Sequence, residues 1–349
     1  MRKLIGLALL VLAIAAVAGC AVPPTAAPVP PTQAPVATSA PASSPASSTG
    51  SAANVAYTFD TKVTPAKKYK IAVVLKNFTN PFWLTHQKAA EQAGKDYNVE
   101  VTVLAPTKPD NVEEQVRILE DLVSKKVDAV VLAPANTQAI AAGVEKLNAA
   151  KIPVVYDNTR GSGGDFVAYI GADNVLVGRT MAEEMVKRMG GKGKLLVLEG
   201  MPGQQTADDR LIGVKEVLAK NPGIEYISQT AKWTLDDGRT VTENTLQRWP
   251  DLKAVLGIGG EMSLGAAEAV KAAGKEGQVI ISSMDVYPAQ QDALTANKIQ
   301  FTISQDPGSQ AYWSVVAAIK ALNGEKVTQE IRTPVVVVTK DNMAKYAEK

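Results

Sequence analysis

Tyr69–Trp83 reads YKIAVVLKNFTNPFW, and its two halves decide the fold between them. Lys70–Leu75 is an apolar run of strand length with no polar alternation, the pattern of a strand covered on both faces. Asn80 and Pro81 follow at once, a pairing that suits a helix start. The turn between them holds Phe78, with Phe82 and Trp83 just beyond, in a chain that is only 5% aromatic. Rings concentrated where a solvated turn belongs call for a partner, either a neighbouring lobe or a ligand.

The same unit recurs outward from this stretch. VEVTVLA, DAVVLA, IPVVYD and FVAYIG follow as strand candidates, with helical stretches such as Asn111–Lys125 and Ala139–Ala150 between them. A second cycle reads KLLVLEG, IEYISQT, KAVLGIG, QVIISSMD and IQFTISQD. Strands alternating with helices predict an α/β fold of parallel sheets with right-handed crossovers. Ten such strands divide naturally into two sheets of about five, with a break near Gly171 and a helix capped by Asp173 or Asn174. TPVVVVTK at the end is one strand too many for a simple second half, so the chain is expected to cross between lobes more than once.

In open parallel sheets ligands sit beyond the carboxyl ends of the strands, so the residues just after each strand carry the information. They are Lys76 and Asn80, Asp157 and Asn158, Gln204, Gln205 and Arg210, Trp233, Glu261, Asp285 and Gln305. Planar polar groups grip vicinal hydroxyls bidentately and rings cover apolar C–H faces, which is sugar chemistry; Phe82, Trp83 and Trp233 supply the rings. Each residue also has a plainer role. Asp157 and Asp285 could cap turns, Arg210 could pair with Asp208 and Asp209 on an exposed helix face, and Gln305 could be solvated. Trp233 could pack between lobes and Lys76 could be a solvated charge.

The 349 residues are 46% hydrophobic and 21% charged, a globular balance with room for two domains. Met1–Lys3 is basic, Leu4–Ala18 is apolar, and VAGC places the one cysteine, Cys20, where a bacterial lipobox does. Residues 1–20 therefore read as a lipoprotein signal peptide with Cys20 lipidated, which puts the domain outside the cytoplasm, in the periplasm or on the outer face of the cell membrane. Residues 21–66 read as a disordered Pro/Ala/Ser/Thr tether, uncharged as far as Phe59. Once Arg2 and Lys3 are removed from the 37 basic residues, 35 face 35 acidic ones, so no positive field for nucleic acid exists.

Other chemistries fail on inspection. GIGGEM has Met262 where a dinucleotide loop needs its third glycine, no phosphate loop or G-x-S-x-G is present, and a single His cannot build a histidine metal site or a relay. No cofactor and no metal are expected, and His86 reads as a surface or packing residue.

Seven blocks in order, IAVVLKNFTNPFW, IPVVYDNTRG, IGADNVLVG, LEGMPGQQTADDRLIGV, GEMSLGAAEAVKAAGK, SSMDVYPAQQDAL and FTISQDP, resemble the ribose-binding protein family, the type I periplasmic solute-binding proteins of ABC sugar importers. The likeness covers roughly Tyr69–Thr339. It implies two Rossmann-like lobes joined by three hinge crossovers, one of residues 69–171 and 306–333, the other of residues 172–305 and 334–349. It also implies a monomer that closes on a monosaccharide and docks on an ABC permease, with no bond made or broken. By position the family's pocket falls on Asn80, Phe82, Trp83 and Asp157 in the first lobe and on Arg210, Trp233, Asp285 and Gln305 in the second lobe and hinge. Lys76, Asn158 and Gly259 depart from the ribose pattern, where a small hydroxyl residue, an arginine and an asparagine stand. Ribose itself is thereby disfavoured against another pentose, a hexose, a polyol or a deoxysugar. An alternative is a sugar-like quorum or chemosensory signal; an enzyme lacks a cofactor loop, and a LacI-type regulator of this fold does not fit an export signal.

Overall fold

The computed structural model describes residues 58–347; the expected signal peptide, Cys20 and residues 21–57 of the expected tether lie outside the described residues. The first half runs β1 (Lys70–Val74), α1 (Pro81–Asp96), β2 (Glu100–Leu104), α2 (Val112–Lys125), β3 (Ala129–Leu132), α3 (Ala141–Ala149), β4 (Val154–Asp157) and β5 (Ala168–Ala172). The second runs α4 (Asn174–Met189), β6 (Gly193–Glu199), α5 (Gln205–Leu218), β7 (Ile224–Thr230), α6 (Leu235–Arg248), β8 (Leu252–Gly257), α7 (Gly260–Ala272), β9 (Ile280–Met284), α8 (Pro288–Thr295) and β10 (Phe301–Ser304). Then come α9 (Pro307–Leu322), β11 (Glu330–Thr333) and β12 (Val336–Val338).

Among the described residues the strands form two six-stranded sheets, ordered β2-β1-β3-β4-β5-β11 and β7-β6-β8-β9-β10-β12. All pairings are parallel except β10 with β12. The chain passes between the sheets after β5, after β10 and between β11 and β12, while α9 packs on α1 beside the first sheet. This is the two-lobed architecture expected from the strand rhythm.

Sequence periodicity yields ten strands and the structure twelve. Beyond TPVVVVTK, which enters as β12, the addition is β11, whose segment EIRT buries one apolar side chain, Ile331, and Thr333, with Glu330 and Arg332 exposed or half-buried. An edge strand of that composition carries no apolar run to read. Its register, Ile331 opposite Ile170, is set by the core face alone.

Local chemistry starts the helices where the loops need them. Asn80 caps α1 by accepting from the Phe82 N–H, with Pro81 at the first helical position, and Asp173, not Asn174, caps α4 by accepting from the Leu176 N–H. Helices α4 and α5 lie backbone to backbone: a Cβ on Gly178 would stand 1.9 Å from the Arg210 carbonyl oxygen and one on Gly213 2.1 Å from that of Val175.

Residues 58–66, the last part of the expected tether, are laid along the first lobe instead of hanging free. Phe59 and Val63 pack on its core, Tyr97 Oη donates to the Thr61 carbonyl (2.6 Å), and Asn323 bonds both Thr64 and Ala66. Phe59 and Val63 give this stretch apolar side chains that pack on the lobe.

Candidate functional site

Both sheets reverse strand order at their second position, between β1 and β3 and between β6 and β8. Loops leaving the strands there diverge and open a crevice. The carboxyl ends of the two sheets share one cavity lined by Lys76, Asn80, Phe82, Trp83 and Asn158 of the first lobe and by Gln204, Arg210, Trp233, Asp285 and Gln305 of the second lobe and hinge. Of the thirteen residues singled out from the sequence, eleven, Glu261 included, therefore line this one cavity; Asp157 and Gln205 do not.

The first-lobe wall is an aromatic floor with an amine beside it. Phe82 and Trp83 meet edge to face, centroids 4.7 Å apart, and Lys76 Nζ stands 5.3 Å from the centre of the Trp83 ring. Lys76 is no solvated charge: only 2% exposed, it donates to Thr159 Oγ1 and to Gln204 Oε1, both at 2.9 Å. Burial pulls its amine down to about 8, with Asp110 opposing that shift and Arg210 adding to it. Thr159 in turn donates to Asn158 Oδ1, and Asn158 Nδ2 donates to Gln310 Oε1, so this wall is tied to the hinge.

The opposite wall centres on Arg210. It lies buried in α5 and not paired with Asp208 or Asp209; its guanidinium donates to Asn174 Oδ1 (2.9 Å), the Ile258 carbonyl (2.8 Å) and Gln305 Oε1 (2.9 Å). Gln305 Nε2 passes the chain on to Asp285 Oδ2 at 3.2 Å. Burial lowers Arg210 to about 10, with Asp285 opposing, and raises Asp285 to about 6, with Arg210 opposing. Asp285 Oδ1 is buried and has no hydrogen-bond partner among the described residues. An acceptor so placed is costly unless something donates to it.

Trp233 stands at φ 64°, a conformation bulky side chains rarely adopt. Its ring is held in a slot: a Cβ on Gly200 would fall 1.9 Å from it and one on Gly259 2.7 Å, while Nε1 donates to Gln204 Oε1 (2.9 Å). The glycine at 259, a departure from the ribose pattern, is what leaves room for the indole. Asp110, Asn158 and Asp285 also sit at positive φ, so four cavity residues share this strained backbone.

Asp157 is the exception among the expected contacts. It is fully buried one layer behind the cavity wall, and its Oδ2 is taken by His86 Nδ1 at 2.7 Å. His86, read from the sequence as a surface or packing residue, is itself fully buried and makes that polar bond. Sequence reading also passed over Asp110, because it took no residue from the loop after β2, and Asn174, which orients Arg210 from inside α4. Among the described residues no group of three or more His, Cys, Asp or Glu side chains could hold a metal, and no helix is long and apolar enough to cross a membrane.

A family model described as a periplasmic binding protein domain matches residues 71–326. The chain belongs to that family. Relatives of this periplasmic binding protein include the D-ribose/D-allose-binding protein of Pseudomonas aeruginosa, 31% identical over 78% of this chain and 89% of the relative. The D-allose-binding periplasmic protein of Escherichia coli is 30% identical over 68% of this chain and 79% of the relative. Among solved structures, an ABC transporter solute-binding protein of Agrobacterium vitis bound with α-D-tagatopyranose superposes with a TM-score of 0.76 at 30% identity, covering 81% of this chain and 100% of that one. Periplasmic binding proteins of this kind carry substrates for transport and are not enzymes.

Proposed function

We propose that this periplasmic binding protein captures a monosaccharide, a pentose, hexose, polyol or deoxysugar, between two closing lobes and delivers it to an ABC permease. It does so as a monomer held outside the cytoplasm by lipidated Cys20. The observation that carries the reading is the cavity itself, in which a ring floor and the buried Lys76 face Arg210 and Asp285 across the lobes. The binding partners named for its relatives, D-ribose, D-allose and tagatopyranose, fit the same chemistry.

A ligand that touches both walls stabilises the closed form, and one that touches a single wall cannot shift the equilibrium. Lys76 favours a second reading, a sugar-like signal molecule with an acceptor oriented to the amine, in place of a nutrient.

A thermal-shift screen of the mature domain against D-allose, D-ribose, D-arabinose, D-tagatose, D-fucose and myo-inositol tests the sugar reading. One chemical class should stabilise the protein, by about 2.7 kcal/mol at 100 times its dissociation constant. A flat screen overturns it. Metabolic labelling with palmitate tests the anchor separately: label and membrane fractionation should both be lost in Cys20→Ala.

A further inference from the structure

His86 is the only histidine in the chain, and it lies on the same face of α1 as the ring floor, three and four residues after Trp83 and Phe82. Its ring centroid is 4.5 Å from that of Phe82 and 5.1 Å from that of Trp83. Its Nδ1 meets Asp157 Oδ2 at 2.7 Å, and because a carboxylate only accepts, Nδ1 carries the hydrogen. His86 Nε2 and Asp157 Oδ1 are both buried without a hydrogen-bond partner among the described residues. An apolar side chain of similar size would avoid the first of those costs, so packing alone does not account for a histidine here.

We infer that His86 is a positioning residue of the pocket: its ring backs Phe82 and Trp83, and its Nδ1–H holds Asp157 behind the wall beside Lys76. The inference deepens the sugar reading and rests on it for the effect on binding. Asp157 is a negative neighbour of the Lys76 amine without being bonded to it. Held by His86, the carboxylate balances that charge from behind. Released, it turns to the amine and draws Lys76 away from Thr159 and Gln204, which removes a donor from the ligand's face and loosens the floor.

Two measurements test this. The first needs no ligand: with one histidine, ¹⁵N-labelled protein gives a single imidazole pattern, which should show a protonated Nδ1 with a slowly exchanging, downfield hydrogen that disappears in Asp157→Ala. A bare Nδ1, or a spectrum unchanged in Asp157→Ala, overturns the inference. The second is titration of D-allose, D-ribose and D-arabinose. For whichever binds the wild type, His86→Leu should weaken binding by about tenfold or more. His86→Asn, whose amide N–H reaches the Nδ1 position, should recover it to within about threefold, and His86→Gln, whose amide reaches the Nε2 position, should not. Binding by His86→Leu equal to the wild type overturns the inference. If none of these sugars binds the wild type, the sugar reading fails at that point and the imidazole spectrum alone decides the positioning bond.

Discussion

Asp285 is held between two demands. Burial raises its carboxyl to about 6 while Arg210 works against the shift, and its Oδ1 lacks a partner among the described residues. Because the folded value lies above the ordinary 3.8, the folded protein holds a proton more tightly than the unfolded chain between about pH 4 and 6. The contribution of Asp285 to stability is therefore full below that window and is lost as pH rises through about 6, on the order of 3 kcal/mol in all. Binding is expected to run the other way, with a sugar hydroxyl donating to the ionised form. Affinity should fall as pH drops below about 6, approaching tenfold per unit, and this acid-side dependence should vanish in Asp285→Asn, which should bind weakly throughout; Lys76, at about 8, titrates above it. Calorimetric titration from pH 4.5 to 7 checks it, and a wild-type profile flat across that range would rule Asp285 out as the acceptor. Residues such as Asp285 and Arg210 were legible because strand ends in a parallel sheet point into one crevice. His86 takes the packing role that the sequence allows it, against the Phe82 and Trp83 rings, but its bond to Asp157 is not legible, because nothing in the local sequence ties a residue of α1 to the end of β4.

At the scale of elements, the strand–helix alternation gave the lobes because buried parallel strands leave uninterrupted apolar runs, whereas β11 escaped because an edge strand needs only one core residue. What no periodicity shows is how closely the helices approach. Gly178 on α4 lies against the backbone of Arg210 on α5, with no more than 1.9 Å for a methyl group. Gly178→Ala must push α5 outward by more than an ångström, since the obstacle is a carbonyl and not a flexible side chain. We expect a loss of about 1–3 kcal/mol in urea unfolding and, because α5 carries Arg210, weaker sugar binding by the folded fraction. An unchanged unfolding midpoint would mean that the helices slide apart freely and that α5 does not depend on this contact for its position.

At the scale of the whole molecule, Gln204 bonds the two lobes to each other, and its bonds do not require a ligand. Its Oε1 accepts from Lys76 Nζ and Trp233 Nε1, and its Nε2 donates to Asp110 Oδ1 (3.0 Å) and the Ala135 carbonyl (3.1 Å). Three of the four partners belong to the first lobe and every hydrogen-bonding capacity of the amide is used. Beside it the Gly203 carbonyl accepts from the Thr137 N–H (2.9 Å), and the Gln205 N–H donates to Thr137 Oγ1 (2.9 Å). These bonds span the cleft, so in the two-lobe closing proposed above they favour the closed form before any sugar contributes. Gln204→Ala leaves the Lys76 amine, Asp110 and the Ala135 carbonyl each short of one partner in that form, a penalty of about 1–3 kcal/mol for each group that stays buried. Apparent affinity scales with the fraction of molecules able to close, so every bound sugar should weaken by about the same factor, tenfold or more, with little change in their ranking. Substitution of Lys76, proposed above as a donor to the ligand, should instead reorder the sugars. A binding panel on both variants, with small-angle scattering to follow the radius of gyration, separates closure from recognition. Should Gln204→Ala reorder the panel while scattering matches the wild type, the residue acts as a ligand contact and the cleft is shut by the sugar alone.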